Sequence, residues 1–261
     1  MNPADAIFCE ELSKRGISYS LTDEEDLYTI LIDDQTLTVS LVNVRRNYER
    51  DGNASSIIQL VNQIDSELFE ETPPWDAVRA YVRYSLEPSD YESGFEDVLF
   101  KPISDGLNQV FVYTSPDGSQ IHWILESMLA DWGTTPTQLA EQAEQNMAEI
   151  VRQTQFTVDD IKGNKLGMLT TDEVAFKASL ILSPAFRDLA EPTHGWPVYV
   201  VVPCRDFVYV IRQDNVDFLS LLGEVVVREY RDSGYPITKE VLEISDSGIV
   251  AIGTYPDPES V

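Results

Sequence analysis

Four pairs of runs rich in β-branched and aromatic residues, each pair joined by a short turn-forming stretch, constrain this chain more than any other feature. They are Tyr28–Ile32 with Leu37–Leu41, Gln109–Tyr113 with Gln120–Ile124, Pro197–Val202 with Phe207–Arg212, and Val241–Ser245 with Ile249–Gly253. Asp33-Asp34-Gln35, Pro116-Asp117-Gly118, Pro203 to Asp206 and Asp246-Ser-Gly248 lie between the partners. Such connections join antiparallel neighbours, because a parallel pair needs a crossover of a dozen or more residues. Helical spacing of apolar residues runs over Asp5–Lys14, Ala54–Phe69, Pro136–Val151 and Asp217–Glu229. Thr135 before Pro136 suits a helix start, and Pro73-Pro74 ends the second helix. There is no β-α-β-α alternation. The expected fold class is therefore α+β, mixed, with mainly antiparallel sheets and packed helices.

At 261 residues the chain suffices for one large domain or two lobes. A single α+β domain over 1–261 is expected, with possible lobes 1–87 and 103–261 joined by the polar stretch 88–102. The region 156–171 reads as short strand-like pieces around Gly163 and Gly167, and 173–182 fits helix or strand equally.

Charge narrows the partners. Asp and Glu number 45 against 18 Lys and Arg, giving −27 at pH 7. That excess argues against nucleic-acid phosphates and against anionic membranes. The apolar run Val198–Pro203 is too short to span a bilayer, and the first residues carry no basic, apolar leader. Two cysteines, Cys9 and Cys204, fit a reducing compartment, so a cytoplasmic location is expected. The acidity reads either as a solvated, self-repelling surface or as an acidic decoy or immunity-type face for a basic partner. Outside Asp23-Glu24-Glu25-Asp26 and the stretch from Glu67 to Glu71 the acids are spread along the chain, which favours the first reading.

The chemistry is sparse. Neither a phosphate-binding glycine loop nor a Gly-x-Ser-x-Gly elbow is present. His122 and His194 are the only histidines, there is no Cys-x-x-Cys, and neither Asp23–Asp26 nor Asp159-Asp160 follows a calcium-loop pattern. No metal and no cofactor is expected. The one constellation resembling catalysis is Cys204 with Asp206, and His194 ten residues upstream, the outline of a cysteine-dependent hydrolase. Against it, Cys204 joins two apolar strands, where cysteine ordinarily packs as a small hydrophobe, and His194 sits in a loop-like Pro192-Thr-His-Gly195. Arg205 and Asp206 read first as a turn brace and second as a grip on an anionic ligand. Trp132 reads as a packing anchor and Gly133 as a helix end, while Asn146 could bond a facing loop. Trp75, Tyr81, Tyr84 and Tyr91 either form an exposed interaction patch or pack a junction between lobes.

Several segments together resemble the YtpQ-like family of uncharacterised bacterial proteins, a domain of unknown function. They are Ser40-Leu-Val-Asn43 with Tyr48, Val110-Phe-Val-Tyr113, Asp131-Trp-Gly133 with the helix through Asn146, and Lys177-Ala-Ser179 with Leu180–Leu182. Pro203-Cys204-Arg205-Asp206 resembles the family's Pro-Ser/Asn-Arg-Asp turn, and Gly234-Tyr-Pro-Ile237 its His-Pro-Leu/Ile segment. Cys204 and Tyr235 depart from that pattern, which gives a thiol no essential role. The resemblance spans roughly Leu37 to Gly253 and implies a bacterial cytoplasmic protein without assigned activity, cofactor or catalytic residue. The expected function is a non-enzymatic protein-interaction or small-ligand-binding module, its candidate ligand site Arg205, Asp206, Trp132 and Asn146. The partner is expected to be an unknown protein or a small anionic ligand.

Overall fold

The computed structural model describes residues 2–22, 27–32, 35–41, 44–45, 48–49, 52–67, 72–90, 97–116, 118 and 120–256. The acidic run Asp23–Asp26, the turn residues Asp33 and Asp34, Asn43, Tyr91, Asp117 and residues 68–71 lie outside them. The chain forms two compact units, Met1–Pro73 and Pro74–Val261. This boundary differs from the expected link at 88–102. That stretch lies wholly inside the second unit, because the strands flanking it pair with the same neighbour. The Pro73-Pro74 break marks the boundary instead.

In the first unit, α1 (Pro3–Lys14) precedes the strands β1 (Ser18–Leu21), β2 (Leu27–Ile32) and β3 (Gln35–Ser40), and α2 (Ser55–Glu67) follows. The strands form one antiparallel sheet in sequence order. Phe8 and Leu12 of α1, Ile30 of β2 and Ile57 and Val61 of α2 share a core. Each such side chain contributes about 1.5–3 kcal/mol on full burial. Asp5 is buried within α1 and is held by Arg45, whose Nε and Nη2 donate to its two oxygens at 2.6 and 2.8 Å. The Tyr28 hydroxyl donates to the same carboxylate at 3.2 Å.

The second unit opens with the short helix α3 (Trp75–Val78), a 3-10 turn at Arg79–Tyr81, and the strands β4 (Val82–Pro88), β5 (Phe100–Ser104), β6 (Leu107–Thr114) and β7 (Ile121–Trp123). β6 is central, with β4 on one side and β5 and β7 on the other. Helices α4 (Glu126–Trp132) and α5 (Pro136–Gln153) follow, joined by Gly133 in the left-handed conformation at φ 61°. Thr135 caps α5 as its sequence suggests: its hydroxyl accepts from the Gln138 N–H, and its own N–H donates to Gln138 Oε1. Such reciprocal capping contributes about 1 kcal/mol.

Next come β8 (Gln155–Ile161) and β9 (Asn164–Thr170), 3-10 turns at Val174–Phe176 and Ala178–Leu182, and α6 (Phe186–His194). Then β10 (Val198–Cys204), β11 (Phe207–Arg212), α7 (Val216–Asp232), β12 (Glu240–Ser245) and β13 (Gly248–Thr254) complete the unit. The six later strands form one antiparallel sheet in the order β13-β12-β10-β11-β9-β8. Alternation along β10 and β11 serves two layers. Val198, Val200, Val202, Val208 and Val210 join a core with β4, α5 and α6, whereas Val201, Tyr209 and Ile211 pack on Phe218, Leu222 and Val226 of α7. The α+β class stands, with every strand pair antiparallel among the described residues.

Candidate functional site

The β10–β11 turn carries most of the residues singled out by sequence. Arg205 Nη2 donates to both oxygens of Glu87 on β4, at 2.8 and 3.1 Å, and its guanidinium lies 4.6 Å from the Tyr235 ring centroid. Ser85 donates to the same carboxylate at 2.5 Å. Glu87 is buried, with only 2% of its side chain exposed, so it requires such partners. The Arg205 N–H donates to the Tyr235 carbonyl, and Ile237 and Thr238 donate to Pro203 and Val202, zipping the 235–238 segment along the end of β10. The expected brace therefore exists with a different acid. Arg205 pairs with Glu87, 118 residues away, and Asp206 is exposed.

Asp206 is held through its backbone: its carbonyl accepts from Lys177 Nζ at 3.0 Å. Lys177 sits between the two 3-10 turns, fixed by buried neighbours Phe176 and Ala178 and by Ser179, whose hydroxyl accepts the Leu86 N–H. β9 and β11 pair only through Met168–Tyr209 and Gly167–Val210. Beyond that point they part, and the opening is a half-enclosed cleft of about 130 Å³. Thr157, Met168, Thr170, Lys177, Asp206 and Phe207 line it. At about 30 Å³ per water, this space suits a few waters or one small polyatomic anion.

Trp132 and Asn146 lie elsewhere. Trp132 packs against Trp75 and Tyr113, with ring centroids 5.4 and 6.1 Å away. Asn146 Nδ2 donates to the carbonyls of Arg79 and Val82, and its Oδ1 accepts from Gln142. Asn146 thus grips the start of β4, while Arg205 grips Glu87 five residues further on, about 17 Å along an extended strand. The four residues expected to form one site fall into two groups. The Trp132 and Asn146 group has its bonding committed to scaffold. Of the expected aromatic patch, Tyr84 is buried with its hydroxyl on the Ala140 carbonyl, and Trp75 and Tyr81 are half-buried.

The hydrolase outline is overturned. His194 is the last residue of α6 rather than a loop residue, and it is buried with its ring edge-on to Phe156 at 5.2 Å. Phe156 packs on the α5–α6 side of the large sheet. Cys204 pairs across the turn with Phe207, which stacks on Tyr209 of the α7 side. Cross-strand partners share a face, so thiol and imidazole project from opposite faces of the sheet. Burial also pushes the Cys204 thiol above its ordinary pKa, the reverse of an activated nucleophile.

Nothing local in the sequence distinguishes Glu87 from a solvated acid on a strand end. Lys177 was visible only as part of a family-like segment. Among the described residues, no cluster of three or more His, Cys, Asp or Glu side chains could hold a metal ion, and no helix is long and apolar enough to cross a membrane.

What emerges is an antiparallel α+β protein with a cation-bearing cleft where its large sheet opens. No family model matches the chain. It is similar to UPF0354 protein lmo1608 of Listeria monocytogenes serovar 1/2a, 24% identical over 237 residues, 88% of this chain and 86% of the relative. UPF0354 protein lwe1624 of Listeria welshimeri serovar 6b is 26% identical over 236 residues, with the same two coverages. Neither name states an activity, and no solved structure matches.

Proposed function

We propose that this chain is a non-enzymatic module of the bacterial cytoplasm, a divergent relative of the YtpQ-like proteins, that binds a small anionic ligand at the β9–β11 opening. One observation carries this reading. In a chain with 45 acids and 18 basic residues, a lysine ammonium lies where the sheet ladder opens, beside two threonines. Lys177 spends one hydrogen bond on the Asp206 carbonyl and has donors left for an anion. Arg205, anchored on Glu87, holds the turn that forms one wall. Thr170 supplies a hydroxyl, Thr157 spends its own on the Met168 carbonyl at 3.4 Å, and Phe207 supplies an apolar edge.

The test is thermal unfolding at constant ionic strength while chloride is replaced by phosphate, malonate or citrate. A saturable rise in Tm with at least one of them, abolished in Lys177→Gln and retained in Lys101→Gln, is expected. No rise with any, or an equal rise in Lys177→Gln, ends this reading.

A further inference from the structure

The strand edges of the second unit are defended unequally. β4 carries Arg83, Glu87 and Pro88, β5 carries Lys101 and Pro102, and β8 carries Asp159 and Asp160. Charges and prolines of this kind keep an edge strand from pairing with another chain. β13 reads Gly-Ile-Val-Ala-Ile-Gly-Thr, with neither charge nor proline over its seven residues, and its one irregularity is a bulge at Ile252, which stands between the Val241–Gly253 and Leu242–Ala251 pairs. It pairs with β12 on one side; β5 packs close to it without pairing, its Ser104 bonding Glu240, and among the described residues no strand is hydrogen-bonded to the other edge. Ile249 and Ala251 turn inward onto the core, while Val250 and Ile252 are 53% and 49% exposed.

The surroundings of this edge say what would cover it. Glu243 lies across from Val250, and Glu240 across from Thr254. Glu243 accepts from Gln213 and Glu240 from Ser104, so neither carboxylate is neutralised by a cation among the described residues. A second copy of the chain would bring this acidic rim against itself, with −27 charges on each side. A basic segment meets it with opposite charge.

We propose that β13 is a docking edge for an extended, lysine- or arginine-rich segment of another protein. The segment adds a strand outside β13, sets apolar side chains against Val250 and Ile252, and places its cations near Glu240 and Glu243. Main-chain hydrogen bonds would supply affinity, and the alternation of apolar and basic residues would supply selectivity.

The probe is the capped heptapeptide Lys-Val-Lys-Val-Lys-Val-Lys, added to the full chain, with amide hydrogen exchange read by segment. Slowed exchange concentrated in 248–254, weakened about tenfold or more by molar salt, is expected. The Val250→Asp/Ile252→Asp variant, checked for unchanged Tm, is expected to lose that protection, and the Glu-Val counterpart peptide to give none. Protection spread over the acidic surface, or retained in the double variant, would mean unspecific charge adhesion and overturn the proposal. Concentration-dependent dimerisation that protects 248–254 without peptide would overturn it in favour of a second copy, and absence of any protection would overturn it outright.

Discussion

Glu87 and Arg205 show what a single charged residue can demand. Glu87 is buried, and its Ser85 bond supplies no countercharge, so removing the guanidinium strands an anion in the interior. Arg205→Met is expected to destabilise by about 3 kcal/mol in denaturant unfolding, and pairing it with Glu87→Met to recover most of the loss. Cys204 makes the opposite case. Its thiol is buried, and burial holds its pKa high, so iodoacetamide near neutral pH is expected to leave it unmodified until denaturant is added. His194 carries a pH signature. Burial, helped by the charge of Arg212 and opposed by a hydrogen bond to the Lys165 backbone, lowers its pKa below the ordinary 6.5. The unfolded chain then binds the proton more readily than the folded one. Its stability contribution is complete above pH 6.5 and falls as pH drops below it. Comparison of urea midpoints from pH 7.5 downward should show this decline in the parent chain and a shallower one in His194→Leu.

Elements were legible where the pattern was local. The hairpin β10–β11, the capped helix α5 and the closing hairpin β12–β13 stand where alternation, Thr135-Pro136 and Asp246-Ser-Gly248 indicated. The region 156–171 also became a hairpin, β8–β9, although its glycines had suggested broken pieces. Gly167 is not a breaker. A Cβ there would overlap the Phe156 ring and lie 3.1 Å from His194 Cε1, so the glycine admits α6 against the sheet. Gly167→Ala is expected to destabilise by about 1–3 kcal/mol, measured by thermal unfolding. The 173–182 segment resisted assignment because it is two 3-10 turns, whose burial comes from long-range packing rather than from periodicity. The candidate site was half legible for the same reason. Its turn was visible in Pro203 to Asp206, but the acid that anchors it is set by sheet packing.

At the scale of the whole molecule, each unit holds its own core. Phe8, Leu12, Ile30 and Ile57 serve the first, and the clusters around Val200 and Phe218 lie entirely within the second. Residues 74–261 alone are therefore expected to unfold cooperatively in calorimetry. The net charge of −27 adds a global term that no single contact reports. Self-repulsion weakens as salt shortens the Debye length from about 10 Å at 0.1 M to about 3 Å at 1 M. The full chain should gain Tm across that range with sodium chloride.

The Arg205–Glu87 pair has a last consequence, in time rather than in space. The two residues are 118 positions apart, and neither can find the other until β4 and the β10–β11 turn both stand in place. The expectation is that this contact locks after the rate-limiting barrier, and folding and unfolding rates of Arg205→Met test it. Breaking it should leave the refolding rate nearly untouched and speed unfolding. With that outcome, the ion pair is the latch that sets how long the finished protein stays closed.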